Sequence, residues 1–242
     1  MYQTIRYEEN GDVARITLIQ SHINMAMVRE LTAVCDHLED KSECKVVVLQ
    51  GEDGRFCEGI DFAEFRPDQP MDIHGFNKWE KISARIERLP KAIIAILHGP
   101  AKGGGAQLAL VADAVIASPN ATIQFDEVHH GFLPGMATFR LAKVVGLGHA
   151  KRLIMQCPII DTEEALRLGL ISVVAEDVEA ALKQTIQSFG PIHNVAVTLA
   201  RRLLNESFAT EFENAIGNFL AAQHRAIHQT PFLETIKKYQ DE

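Results

Sequence analysis

Two continuous apolar runs, rich in β-branched residues, constrain the fold of this chain more than any other feature of its sequence. Lys45–Gln50 reads KVVVLQ and is followed by Gly51, and Ala92–Leu97 reads AIIAIL. Runs of this kind are typical of strands buried on both faces, as in a parallel sheet covered by helices. A helical pattern over Ile73–Leu89, ended by Pro90, lies between them. The sequence therefore predicts an α/β fold.

The flanking segments extend this alternation of strands and helices. A hairpin is predicted where Thr4–Glu8 and Val13–Leu18 flank an Asn10-Gly11-Asp12 turn. Apolar residues then recur at helical spacing between Met27 and Leu38. Two more strands are predicted, over Asp113–Ala117 and Thr122–Phe125. From Met136 onward the pattern is nearly all helical, except for Leu170–Val174. We expect one α/β layer with right-handed crossovers, followed by a helical section.

Composition and charge exclude several classes of protein. The chain has 242 residues, of which 47% are hydrophobic and 23% charged, as in an ordinary globular protein. The 32 acidic residues outnumber the 24 lysines and arginines, giving a formal net charge of −8. This balance argues against a nucleic acid or a membrane surface as the main partner. No apolar run reaches the roughly 18 residues that a membrane-spanning helix needs.

The cysteines and the N-terminal segment favour a cytoplasmic protein. The four cysteines are widely scattered and form no C-x-x-C pair, which predicts free thiols in a reducing compartment. They are Cys35, Cys44, Cys57 and Cys157. The N-terminal residues show neither a secretory signal nor a transit-peptide pattern.

A glycine-rich stretch, His98–Leu108 (HGPAKGGGAQL), is the first place where chemistry could occur. It joins a buried strand to a helix, and a helix start offers unpaired backbone N–H groups. Glycine there lets a ligand oxygen approach the backbone, which favours an anion or a developing oxyanion. The alternative is a tight packing turn without a ligand. The stretch contains neither G-x-G-x-x-G nor Gly-Lys-Ser/Thr, so both nucleotide-binding motifs are excluded. The second candidate is Gly51–Asp61 (GEDGRFCEGID).

Three motifs resemble one known family. They are Phe56–Phe62 (FCEGIDF), His98–Ser118 (HGPAKGGGAQLALVADAVIAS) and Gly131–Gly135 (GFLPG). Their order and spacing are similar to those of the crotonase, or enoyl-CoA hydratase/isomerase, superfamily, and the resemblance covers nearly the whole chain. It implies the ClpP/crotonase-like α/β fold, with repeated β-β-α units and a helical C-terminal section. It also implies a core over residues 1–190 that holds the acyl-thioester site, and a section over 191–242 for oligomerisation and pocket closure.

The resemblance assigns an oxyanion hole to two backbone N–H groups. One belongs to Ile60, between Gly and Asp of the first motif, and the other to Gly104, the middle glycine of the second. These two donors would hold the thioester oxygen as it becomes an enolate. Further acyl-thioester contacts are expected from Ile23, Glu58, Asp61, Gly103 and His129.

The acid–base residues depart from the pattern of the family's hydratases, which carry two glutamates. The first position is Gln107, an amide that cannot take a proton, and the second is Glu127. Asp126 is the alternative if the alignment slips by one residue. Moving a double bond needs one base, whereas adding water calls for a base and an acid. One retained glutamate therefore favours an isomerase. Because Gln107 can still bind an oxygen or orient a water, hydration stays open.

Two other functions remain as alternatives. Residues 134–138 (PGMAT) resemble crotonase-like enzymes of polyketide β-branching, which include hydratases and decarboxylases. The loss of a carboxylate at Gln107 also fits a non-catalytic accessory subunit that binds acyl thioesters. His129 and His130 lie close to Glu127 in the sequence. In one interpretation one of them acts as a second acid, and in the other both are simply loop residues. Cys57 is interpreted as a buried residue of the hydrophobic core.

We predict no metal, and no cofactor apart from the coenzyme A or phosphopantetheine that forms part of the substrate. An acyl carrier protein is a candidate partner. The resemblance implies a homotrimer or a hexamer built from two trimers. The C-terminal helices carry a broad apolar face that suits such assembly, although it could also pack only on its own chain. This face includes Phe208, Phe212, Ile216, Phe219 and Leu220.

Overall fold

A computed structural model describes residues 2–66, 68, 73–189 and 195–240. The chain divides into two compact units, residues 1–187 and 188–242. The domain boundary expected between residues 190 and 191 lies outside the described residues. None of the helices within the described ranges is long and apolar enough to cross a membrane.

The first unit contains all the strands. They are β1 (Ile5–Asn10), β2 (Val13–Leu18), β3 (Val46–Gly51), β4 (Ala92–Leu97), β5 (Pro100–Lys102), β6 (Ala114–Ala117), β7 (Thr122–Gln124) and β8 (Val173–Val174). Six form one sheet in the order β1-β2-β3-β4-β6-β8, and β5 pairs with β7 in a second, smaller sheet. Among the strand pairs within the described residues, β1 and β2 are antiparallel, as the turn between them predicts, and the others are parallel.

The helices follow the strands in a repeating order. They are α1 (Met25–Asp40), α2 (His74–Arg88), α3 (Gly104–Leu110), α4 (Ala137–Gln156), α5 (Thr162–Arg167), α6 (Val178–Ser188), α7 (Val195–Glu206), α8 (Phe212–Ile227) and α9 (Thr230–Gln240). Two strands precede a helix three times, in β1-β2-α1, β4-β5-α3 and β6-β7-α4. The predicted β-β-α repeats and helical C-terminal section are therefore confirmed.

The centre of the main sheet is fully buried. Every residue of β3 from Val46 to Leu49, and of β4 from Ile93 to Leu97, is shielded from solvent. Alternate side chains of a strand point to opposite faces, so both faces of this sheet must be covered. The continuous apolar runs were correctly interpreted as strands for this reason.

Two local expectations were wrong. The sequence predicts a loop over His98-Gly99-Pro100, directly after β4, but Pro100 begins β5. Its carbonyl oxygen accepts the backbone N–H groups of Phe56 (3.0 Å) and Cys57 (3.3 Å). Three residues are too few for a periodic signal, and proline can still accept hydrogen bonds. Of the strand expected over Leu170–Val174, only β8 forms.

The second unit consists of α7, α8 and α9, with the end of α6. Apolar side chains of α8 stay exposed, including Phe212 at 76%, Phe219 at 50% and Leu220 at 58%. A trimer or hexamer that covers this face remains a prediction.

Candidate active site

The backbone at Ile60 is held by a bridge to Ile23. The N–H of Ile23 donates to the oxygen of Gly59 (2.8 Å), and the N–H of Asp61 donates to the oxygen of Ile23 (2.9 Å). In a parallel bridge, the hydrogen bonds to Ile23 are made by the residues on either side of Ile60. The N–H of Ile60 itself therefore faces the opposite side. It is directed away from Ile23 and is available to another acceptor.

The three consecutive glycines have different surroundings. A Cβ at Gly104 would lie 2.5 Å from Cδ1 of Ile23, and one at Gly105 would overlap the carbonyl oxygen of Cys57. Gly103 has a positive φ of 49°, which disfavours other residues. Gly104 is the first residue of α3, so its N–H has no acceptor within the helix.

Glu127 lies directly against these glycines. The N–H of Gly103 donates to the oxygen of Gln124 (2.9 Å), which joins the glycines to the chain just before Glu127. A Cβ at Gly103 would lie 2.8 Å from Oε1 of Glu127. Glu127 begins a short 3₁₀ helix and is only 5% exposed. Its Oε2 is buried and has no hydrogen-bond partner among the described residues.

Burial raises the pKa of Glu127 to about 7, and the nearby charge of Asp126 adds to this effect. A hydrogen bond from its own backbone N–H and the nearby His130 act in the opposite direction. A carboxyl group with such a pKa can give or take a proton near neutral pH.

This pKa predicts a pH-dependent contribution to stability. The native state holds a proton that an unfolded glutamate, with a pKa of about 4.3, has released. The contribution is full below about pH 4.3 and is lost as the pH rises through about 7. In denaturant titrations, the unfolding free energy of the wild type relative to Glu127→Gln should therefore fall between pH 5.5 and 8. If the unfolding free energies of the two proteins differ by the same amount at every pH, the raised pKa is not that of Glu127.

Glu127 lines a cavity of about 500 Å³, which we call the Glu127 cavity. Its lining also includes Ile60, Gly104 and Gln107, so it contains all four residues that the sequence singled out for the oxyanion hole and proton transfer. The rest of the lining is largely apolar. It includes Phe76, Trp79, Phe132, Leu133, Pro134 and Met136.

A second cavity, of about 450 Å³, adjoins the first and is called the Arg29 cavity. Ile60, Phe76 and Trp79 line both cavities, so the two adjoin at these side chains. Basic residues lie along the second one: Arg29, Arg66, His74 and Lys78. It also contains one carboxylate, that of Glu64.

Gln107 is held by hydrogen bonds on both sides of its amide. Its Nε2 donates to Oε1 of Glu80 (3.0 Å), and its Oε1 accepts the N–H of Ala137 (2.7 Å). Glu80 also accepts the N–H of Met136 (3.0 Å) and lies 3.6 Å from Nη1 of Arg140. Glu80 and Arg140 were not singled out from the sequence. Glu80 follows the buried Trp79 on α2, but nothing in the sequence brings α2 close to Gln107.

Other residues singled out from the sequence are placed as follows. Glu58 lies 3.8 Å from Lys102, and Asp61 accepts the N–H of Ala63 at the start of a 3₁₀ helix. His129 is exposed, so its role and those of Glu58 and Asp61 remain predictions. Asp126, the alternative to Glu127, has Oδ2 3.6 Å from Nε2 of His130.

The four cysteines are all buried. Burial raises the pKa of Cys57 to about 12, which fits the interpretation of this residue as core. In the part of the chain that the structure describes, no three or more His, Cys, Asp or Glu side chains are grouped so that they could hold a metal ion.

Solved structures share this fold over the whole chain. An enzyme described as a putative enoyl-CoA hydratase from Streptomyces coelicolor superposes with a TM-score of 0.90 at 27% identity, covering 100% of this chain and 92% of its own. The enoyl-CoA hydratase from Bacillus anthracis superposes with a TM-score of 0.87 at 26% identity, covering 99% and 96%. The predicted crotonase fold is thereby confirmed.

Sequence comparisons give the same assignment. A short-chain-enoyl-CoA hydratase from Clostridium acetobutylicum is 30% identical, over 95% of this chain and 94% of its own length. A crotonyl-CoA hydratase from Syntrophomonas wolfei is also 30% identical, over 89% and 87%. The family model described as enoyl-CoA hydratase/isomerase matches residues 8–240. The chain therefore belongs to the enoyl-CoA hydratase/isomerase family of enzymes.

Proposed function

We propose that the protein is an enoyl-thioester isomerase/hydratase in which Glu127 moves the proton and Ile60 and Gly104 hold the enolate oxygen. The observation that carries this proposal is the position of Glu127. Its buried carboxyl group contacts Gly103 and lines the same cavity as the other two residues.

Proton removal next to a thioester carbonyl places negative charge on the carbonyl oxygen. Two backbone N–H groups directed at that oxygen would stabilise the enolate, and the loss of one such donor in another enzyme costs about 2.7–4 kcal/mol. In isomerisation, the Glu127 carboxylate takes a proton from C2 and returns it at C4, while the double bond moves from C3=C4 to C2=C3. The unpartnered Oε2 can accept this proton without breaking an existing hydrogen bond.

The two cavities support a substrate with an apolar acyl chain and a charged carrier. The Glu127 cavity has an apolar lining and suits the acyl group. The Arg29 cavity is lined by Arg29, Arg66 and Lys78 and suits a phosphate-bearing thiol. The relatives from Clostridium acetobutylicum and Syntrophomonas wolfei are named as hydratases of CoA thioesters. An acyl carrier protein would present the same phosphopantetheine.

The geometry favours an enzyme over an accessory acyl-binding subunit. An accessory role would be supported by a Glu127 side chain directed away from Ile60 and Gly104, with no cavity between them. Instead, Glu127 lines one cavity with both residues. Its raised pKa is also typical of a residue that transfers protons.

The test is turnover of 3-enoyl and 2-enoyl thioesters, carried on coenzyme A and on pantetheine, between pH 5.5 and 9. Because a base must be ionised, kcat/KM for isomerisation should rise with pH and level off above about 7. A pH profile of kcat/KM that shows no ionisation near pH 7 would show that Glu127 is not the base. Binding without turnover of any of these thioesters would favour the accessory role.

A further inference from the structure

Glu80 is a second carboxylate of the Glu127 cavity, and neither the proposed proton transfer nor the sequence motifs account for it. It extends from α2, and its Oε1 lies 3.0 Å from Nε2 of Gln107. A carboxylate therefore lies within one hydrogen bond of the position where Gln107 presents an amide. The site has the two carboxyl groups that water addition needs, but one of them comes from another helix.

The chain makes room for this carboxylate at Gly135. A Cβ at this position would overlap Oε1 of Glu80, and the φ of Gly135 is +48°, which also favours glycine. The Glu80 side chain is 22% exposed, whereas that of Arg140 beside it is 7% exposed. Glu80 is thus close to a buried cation and still reaches the cavity.

The two oxygens of Glu80 have different surroundings. Oε1 accepts hydrogen bonds from the N–H of Met136 and from Nε2 of Gln107, and these bonds anchor the start of α4. Oε2 is buried and makes no hydrogen bond among the described residues, and it lies 3.6 Å from Nη1 of Arg140, which likewise makes none. This ion pair compensates the buried charge and holds the carboxylate at the wall of the Glu127 cavity, where Oε1 lies beside Gln107.

We propose that Glu80 is the general base for water in this site, so that Glu80 and Glu127 together catalyse hydration of 2-enoyl thioesters. The carboxylate of Glu80 takes a proton from water as the water oxygen bonds to C3. The electrons of the C2=C3 bond move to the thioester oxygen, which Ile60 and Gly104 hold. Glu127 then donates its proton to C2, and solvent returns Glu127 and Glu80 to their starting protonation states.

This inference rests on the proposed function, because it uses the same oxyanion donors and the same residue, Glu127, for proton transfer at C2. The two differ in which reactions need which residue. Isomerisation needs Glu127 as base, whereas hydration needs Glu127 as acid and Glu80 as base. A comparison of the two reactions therefore separates the roles.

The experiment measures hydration of a 2-enoyl-CoA and isomerisation of a 3-enoyl-CoA by the wild type and by Glu80→Gln. The glutamine keeps an oxygen that accepts from Met136 and Gln107, so it removes the base while it preserves the anchoring bonds. Hydration should fall by about 10²-fold or more, as expected for the loss of a general base. The ratio of hydration to isomerisation should fall at least about tenfold.

Glu87→Gln is the matched control. Glu87 lies on the same helix and pairs with the same Arg140, with its Oε2 2.9 Å from Nη2. It does not belong to the proposed machinery, so its substitution should leave both rates within about threefold of wild type. Thermal unfolding of all variants by circular dichroism verifies that they are folded.

The double variant Glu80→Gln with Gln107→Glu, called the swap variant, exchanges the two side chains. It tests independently of the single variant whether hydration is restored. It keeps one amide and one carboxylate in hydrogen-bond contact, and hydration should return to within about tenfold of wild type. The inference is overturned if folded Glu80→Gln hydrates normally, if it loses both reactions equally, or if the folded swap variant does not hydrate. A wild type that isomerises without hydrating also overturns it. A wild type that does neither refutes the proposed function itself.

Discussion

Replacing Glu127 with glutamine is expected to lower both isomerisation and hydration of enoyl thioesters by about 10²–10⁴-fold. Glutamine has nearly the same size and can still accept a hydrogen bond, but it cannot take or give the proton at C2. Substrate binding should change little, because in the proposed mechanism the thioester oxygen is held by the backbone N–H groups of Ile60 and Gly104. The loss should therefore appear in kcat and not in KM. Steady-state kinetics, with deuterium exchange at C2 in heavy water, measure this.

Asp126→Asn is the control for this experiment. It neutralises the neighbouring carboxylate, which lies beside His130. Its activity should stay within about tenfold of wild type. If Asp126→Asn loses C2 exchange while Glu127→Gln retains it, the proton-transfer role belongs to Asp126.

Replacing Gly105 with alanine is expected to destabilise the first unit by about 1–3 kcal/mol or more, the usual cost of overpacking a core. The added methyl would overlap the Cys57 carbonyl oxygen. Because that atom is backbone, it cannot rotate away as a flexible side chain could. The same carbonyl accepts the N–H of Lys102 at 2.8 Å, so movement there would also disturb β5. Chemical denaturation should show a lower midpoint for this variant.

Gly148→Ala is the matched control, since it adds the same methyl at an exposed position of α4, two residues after the non-helical Gly146 (φ 76°), where no atom outside its own helix backbone lies within 4 Å. It should be neutral or slightly stabilising, because alanine favours the helix by up to about 1 kcal/mol over glycine. Equal stability of Gly105→Ala and wild type would show that the glycine run is not constrained at this point.

Elements with a strong local pattern were predictable from the sequence. The hairpin follows from the turn at Gly11, and β3 and β4 follow from continuous apolar runs that only a doubly covered sheet can bury. Short elements were predictable only in part. The strand expected over Thr122–Phe125 forms β7, whereas β5 was missed because its conformation depends on distant partners. The three residues of β5 form a strand since β7 and Phe56 bond to them.

The sequence by itself determined the parts of the site that lie within short motifs. Ile60, Gly104, Gln107 and Glu127 were singled out in this way, and the structure places all four on one cavity. Only the tertiary structure decided that Glu80 and Arg140 lie beside them. The hydrogen bonds that Glu80 accepts from Gln107 and Met136 span 27 and 56 residues. No spacing rule operates over such distances, because helix packing alone brings these side chains together.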